Sequence, residues 1–143
     1  MRWVTRHHAR VNRIATAWLI RRFIDPAAEF IFVPPGEVAR VQQDRAAKGF
    51  DAPAATYPHK DVRGRCSFEA LVDEHRHDDA ALQALARIVH CADFPDEPQT
   101  EPVAAGLRAF SHGFPLVAAD DHDALEKASF LYDALYASLQ MNK

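Results

Sequence analysis

Apolar residues recur along the first third of the chain at two different periods. After a short β-like start at "WVT", Val11, Ile14, Ala15, Trp18 and Leu19 share one broad arc at about 100° per residue, which predicts a helix from about Val11 to Ile24. Ile20, Phe23 and Ile24 fill its other sides, so this helix is apolar nearly all round and is expected to be buried. Asp25-Pro26 ends it, because proline disfavours helical backbone in the residue before it. "EFIFVPP" (Glu29 to Pro35) reads as a buried strand with a sharp stop. A polar helix is predicted from about Gly36 to Lys48, closed by Gly49, and "ATYPHK" reads as a short strand or an extended loop.

In the second half the period is helical. Ser67 can cap a helix from Phe68 to about His75. "DDAALQALARIVHCAD" is the clearest amphipathic segment, with Leu82, Leu85, Ile88 and Val89 at helical spacing. The proline-rich "FPDEPQTEP" is a loop, and "VAAGLRAFSHGF" a further helix ending at Gly113. Asp120 or Asp121 can cap a last helix from about His122 to Leu139. With no repeat or long linker, residues 1–143 are expected to form a single α+β domain, mainly helical, with a small sheet of two or three short strands.

Composition narrows the function classes. At 48% hydrophobic and 26% charged residues the chain is expected to fold, not to remain disordered. No apolar run approaches the roughly 20 residues that span a bilayer, and "MRWVTRHH" lacks the apolar segment of a secretory leader. A cytoplasmic protein without a membrane partner, with Cys66 and Cys91 reduced, is the expectation. The net charge of -3 is unevenly spread: residues 1–25 carry six arginines against one acid, Asp25. Of the 17 basic residues 13 are arginine, whose planar fork grips oxyanions in a way lysine cannot.

Arg21 and Arg22 fall within or beside the apolar arc of the first helix. A buried guanidinium needs a carboxylate, carbonyls or a bound anion. Arg21 could pair with Asp25 one turn on, and Arg22 could lay its stem on the core with its head in water. The functional reading is that Arg6, Arg13, Arg21 and Arg22 help to line a polar pocket. No P-loop, G-x-S-x-G, H-E-x-x-H or C-x-x-C motif is present. "HKDVRGRCSFE" instead places His59, Cys66 and Glu69 close in sequence, and "HCAD" offers His90, Cys91 and Asp93, side chains that suit a transition metal. His7, His8, His75, His77 and His122 read as solvated, and Cys91 as a small apolar packing residue.

Several longer stretches, "WVTR…VNRIATAWLIRRFIDPAAEFIFVP", "FDAPAATYPHKDVRGRCSFEALV", "ALARIVHCAD", "AAGLRAF" and "YDALYA", resemble in order the C-terminal domain of the chromate-resistance ChrB family, from about Trp3 to Tyr136. In that pattern Asn12 stands where the family usually has Asp, and Thr16 where it often has Cys. The resemblance implies binding of a small oxyanion such as chromate or sulfate, or of a divalent metal (zinc, manganese or iron), in chromate sensing or detoxification. On that reading His59, Glu69 and Asp93 are the metal candidates, Arg6, Arg13, Arg21 and Arg22 engage the oxyanion or orient the carboxylates, and Cys66 is a further ligand or a redox-active thiol. A metal-dependent hydrolase or reductase is the alternative. A DNA-binding regulator is the third class, and nucleic acid is not expected without the N-terminal module that usually precedes this domain in the family.

Overall fold

The computed structural model describes residues 1–141. Three strands, β1 (Arg2–Arg6), β2 (Glu29–Val33) and β3 (Lys48–Gly49), form a parallel sheet in the order β2-β1-β3. Trp3, Val4 and Thr5 of the central strand are buried in succession, with no polar alternation, because both faces of the sheet are covered. The first helix, α1 (Val11–Leu19), makes the crossover from β1 to β2, and all its residues but Arg13 are buried.

From Ile20 to Ile24 that helix widens into a π turn, closed by the Asp25 N–H donating to the Ile20 carbonyl at 2.7 Å. One extra residue in a turn displaces the later side chains by roughly 100° on an α-helical wheel. Arg21 and Arg22 therefore leave the apolar arc, with side chains 40% and 42% exposed. Arg21 lies over Phe30 and reaches Glu126 at 3.7 Å. Arg22 donates to Asp133 at 2.9 Å and rests on the rings of Trp18, Phe23 and Tyr136. Asp25, which the spacing offered to Arg21, instead accepts from Trp3 Nε1 at 3.0 Å and faces the N-terminal ammonium at 3.3 Å. An exposed ion pair with ring contacts is modest, so Arg22→Ala is expected to cost about 1 kcal/mol in chemical denaturation. A loss of several kcal/mol would mean a buried partner left stranded.

The polar helix is shorter than its pattern suggests. A 3₁₀ turn (Pro35–Glu37) leads into α2 (Val38–Asp44), and Ala46 at φ 51° reverses the chain before Lys48, so Lys48 and Gly49 pair with β1 as β3. Gly49 closes no helix. Its N–H donates to Gln42 Oε1 at 2.8 Å, and a Cβ at Gly49 would run into that same amide. Beyond it, Phe50 and Tyr57 make an isolated bridge around an irregular loop.

Four further helices complete the domain among the described residues: α3 (Ser67–His75), α4 (Ala80–Asp93), α5 (Val103–Val117) and α6 (Asp121–Met141). Their apolar faces join α1 in one core built on Trp3, Ile14, Trp18, Leu82, Leu85 and Leu125. α5 runs past Gly113 and through Pro115, which gives up its own backbone hydrogen bond but lies only two residues before the helix ends, so little helix follows the disturbance. At the start of α6, Asp120 caps by accepting from the Asp123 N–H at 2.8 Å. Asp121 turns back to accept from His8 and Ala9 N–H at 3.0 and 2.7 Å, tying the loop after β1 to α6. Among the described residues no helix is long and apolar enough to cross a membrane.

Candidate functional site

In parallel sheets the strands' carboxyl ends are where loops can converge on a ligand, most of all where the chain changes side of the sheet. Here the chain leaves β1 for β2 on one side and returns to β3 on the other. Arg6 ends β1, Asp51 follows β3 and Arg13 sits in the first turn of α1, so all three meet at that edge. Asp51 is 2% exposed and has a left-handed backbone (φ 50°), a conformation aspartate tolerates better than most residues. Its carboxylate faces Arg6 Nη2 at 3.4 Å and Arg13 Nη1 at 3.5 Å, and its carbonyl accepts from Arg6 Nε at 2.8 Å.

The loop after the Phe50–Tyr57 bridge brings in His59, whose Nδ1 lies 2.6 Å from Asp51 Oδ1 and 3.4 Å from Asp93 Oδ2 at the end of α4. A single N–H cannot point both ways, and it points at Asp51. Asp93 Oδ2 is therefore buried without a hydrogen-bond partner among the described residues. Ligand atoms of Asp51, His59 and Asp93 all lie within 4.8 Å of one another. The electrostatics match this crowding. Burial, followed by repulsion from Asp51, pushes the Asp93 carboxyl up to about 7. The hydrogen bond to Asp51 raises His59 above the usual imidazole range. Two carboxylates and an imidazole converging on one point, with one oxygen unsatisfied, form a site that a divalent cation would complete.

Glu69 is not part of it. Its Oε1 accepts from the Cys66 N–H at 2.9 Å, capping α3, and faces His90 Nδ1 at 2.6 Å. His90 Nε2 meets Glu97 Oε1 at 2.8 Å, and Lys60 holds the other Glu97 oxygen at 2.8 Å. Burial pulls the His90 imidazole down, but its two carboxylate partners outweigh this and raise it. Cys66, Glu69 and His90 could also gather around an ion. Their hydrogen bonds are already made, however, and burial pushes the Cys66 thiol well up, the opposite of what a reactive thiolate needs. The rings of His59 and His90 both rest against Phe94, so the two clusters are neighbours on the end of α4.

His59 and Asp93 thus converge with Arg6 and Arg13, while Arg21 and Arg22 are occupied with Glu126 and Asp133 on α6. Asp51 is the site residue that pattern reasoning missed. One aspartate in an irregular loop carries no periodicity, and nothing in the pattern around it marked a strand end. Asn12 and Thr16 close a buried network with Ser67: Asn12 Nδ2 donates to Ser67 Oγ at 2.9 Å and Thr16 Oγ1 to Asn12 Oδ1 at 3.0 Å.

The family described as ChrB, C-terminal domain, matches residues 3–139. The curated Protein ChrB of Cupriavidus metallidurans is 37% identical over 135 residues, covering 94% of this chain and 39% of that protein. The chain spans about two fifths of the length of that relative. No solved structure matches.

Proposed function

The chain belongs to the ChrB C-terminal domain family, and from that premise we propose that it serves chromate resistance by holding a divalent metal ion on Asp51, His59 and Asp93, with the ion's open face turned to a small oxyanion such as chromate or sulfate. The observation that carries this is the buried, unpartnered Oδ2 of Asp93 beside the Asp51–His59 pair. Imidazole with two carboxylates suits borderline ions such as zinc, manganese or iron(II), and three protein ligands leave a position open. Arg6 and Arg13, paired with the Asp51 carboxylate, would hold it in place as a ligand.

Protein purified without a histidine tag from metal-supplemented medium is expected to hold close to one equivalent of metal by elemental analysis, and to melt higher with zinc, manganese or iron(II) than with a chelator. Absence of both sinks the metal reading. His59→Ala combined with Asp93→Asn should abolish the metal and leave the domain folded, since neither side chain is a core packing residue.

A second reading, a hydrolase or reductase on the same residues, draws support from Asp93. A carboxyl near neutrality can exchange a proton at physiological pH. Turnover by the metal-loaded protein, abolished by Asp93→Asn, would favour it. The DNA-binding reading is weakened by the pairing of Arg6 and Arg13 with the buried Asp51 and of Arg21 and Arg22 with Glu126 and Asp133 on the surface of α6.

A further inference from the structure

Helix α5 is apolar nearly all round, the mark of a buried helix, yet of its 15 residues only Ala104, Leu107 and Ser111 are buried. Arg108, its one permanently charged side chain, is held by the Ala92 and Cys91 carbonyls and by Gln99 Oε1. At about 100° per residue Phe110 lies nearly opposite Arg108 on the helix. Val103, Phe110 and Val117, spaced two turns apart, form an exposed stripe along that outer side.

α6 continues this surface with Phe130 and Leu131, both exposed. A groove of about 330 Å³ runs between the two helices, lined by Leu107, Phe110, Leu131 and Leu135. A second, of about 210 Å³, is lined by Phe114, Val117 and again Leu131, so the apolar surface is continuous. The charges of α6 are occupied: Glu126 and Asp133 reach Arg21 and Arg22, and Lys127, beside the shorter groove, pairs with Asp123 at 3.0 Å. Gly106 and Gly113 fall on the same outer side of α5. A Cβ at either would meet no atom within 4 Å among the described residues, so packing inside the chain does not call for glycine there. Glycine is the poorest helix former after proline, and what it offers in exchange is close approach of another backbone.

We infer that the α5–α6 face is where a second copy of this chain docks, about a two-fold axis. Area is one reason. Phe110 and Phe130 are 64% and 75% exposed. With Val103, Val117 and Leu131 they present roughly 500 Å² per copy, hence on the order of 1,000 Å² for a pair, where specific interfaces begin. Charge is the other. A two-fold interface sets residues near the axis against their own copies, so a charged face would repel itself. This face holds no unpaired charge among the described residues, which suits a second copy and gives a nucleic acid, an anionic membrane or a charged peptide nothing to pair with. Each copy also offers both parts of the contact, an apolar groove to receive and the exposed Phe130 to insert. Arg108 lines a cavity with Asp51 and Asp93 on the other side of α5, so docking leaves that site open and the inference does not rest on the metal reading.

Sedimentation equilibrium of the whole chain, from about 1 to about 100 µM, is the test. The mass is expected to approach twice that of one chain as concentration rises. Phe110→Asp and Phe130→Asp, both at exposed positions, should each weaken self-association at least tenfold, with helix content by circular dichroism unchanged. Gly106→Gln adds bulk where the single chain has open space, so it should melt no lower when dilute and still weaken the pair. That variant decides the matter if an aspartate disturbs folding. A chain that stays monomeric throughout overturns the inference. So does a dimer that all three substitutions leave intact, since its interface is then elsewhere. A monomer that binds the apolar dye ANS, with binding lost in Phe110→Asp, would assign the face to a different occupant and equally overturn it.

Discussion

Asp51→Ala is expected to lower the stability of the domain by roughly 3 kcal/mol, the largest loss of any single substitution at the site. The Asp51 carboxylate is almost fully buried and is the common partner of Arg6, Arg13 and His59. Removing it strands two guanidinium groups whose side chains are only 25% and 16% exposed. Arg13 has the least freedom to compensate, since burial already lowers its pKa below the usual guanidinium value against the pull of Asp51. A smaller part of the loss comes from the backbone, because alanine is less at ease than aspartate at φ 50°. Asp51→Asn separates the two parts: it keeps the shape and tolerates the left-handed backbone but removes the charge. Urea denaturation measures both. If alanine costs under 1 kcal/mol, Asp51 is not the hub of this cluster.

The metal-free protein is expected to lose stability as pH rises from about 4 to about 7, by an amount on the order of 2–4 kcal/mol, and Asp93→Asn to flatten that slope. The sign is set by where the proton sits. Unfolded, Asp93 ionises near the ordinary value of 3.8; folded, it keeps its proton to about 7. Below the lower value both states are protonated and the fold carries no penalty. Through the window the unfolded chain has already released a proton that the folded chain retains, so each step up in pH favours unfolding until the folded carboxyl also ionises.

His59 acts with the same sign. Its raised imidazole, gaining Asp51 in the fold, contributes stability that is present at low pH and lost as pH rises through its folded value. Asp93→Asn should therefore be more stable than the unsubstituted protein at pH 8 and little different at pH 4. Saturating divalent metal should help most at the alkaline end, where both carboxylates are available to it. Thermal melts across pH 4–8 would read all of this. An Asp93→Asn protein with an unchanged slope would mean that Asp93 ionises as an ordinary carboxylate.

Much of the architecture was legible because it is local. The periods around Val11–Leu19 and Leu82–Val89, the apolar run Glu29–Val33 and the acid at the start of α6 each depend on residues within a turn or two. Where the pattern misleads, the deciding contact is distant or the backbone irregular. β3 is two residues long and exists only because β1 is there to pair with it. The π turn changes the period under Arg21 and Arg22, so a wheel drawn at 100° per residue places them in the core.

The candidate site divides along the same line. The chain's chemistry by itself determined that His59 and Asp93 were worth watching, that Arg6 and Arg13 sat in a basic segment, and, through its motifs, the family to which the domain belongs. Which cation meets which acid was decided by tertiary structure alone. Asp51 is 45 residues from Arg6 and 38 from Arg13, and Asp133 is 111 from Arg22. Charges attract whatever their separation along the chain, so sequence spacing cannot rank such partners. Only packing of the helices and the sheet, driven by burial of apolar faces far from these groups, puts Asp51 rather than Glu69 beside His59 and leaves one oxygen of Asp93 without a hydrogen-bond partner among the described residues.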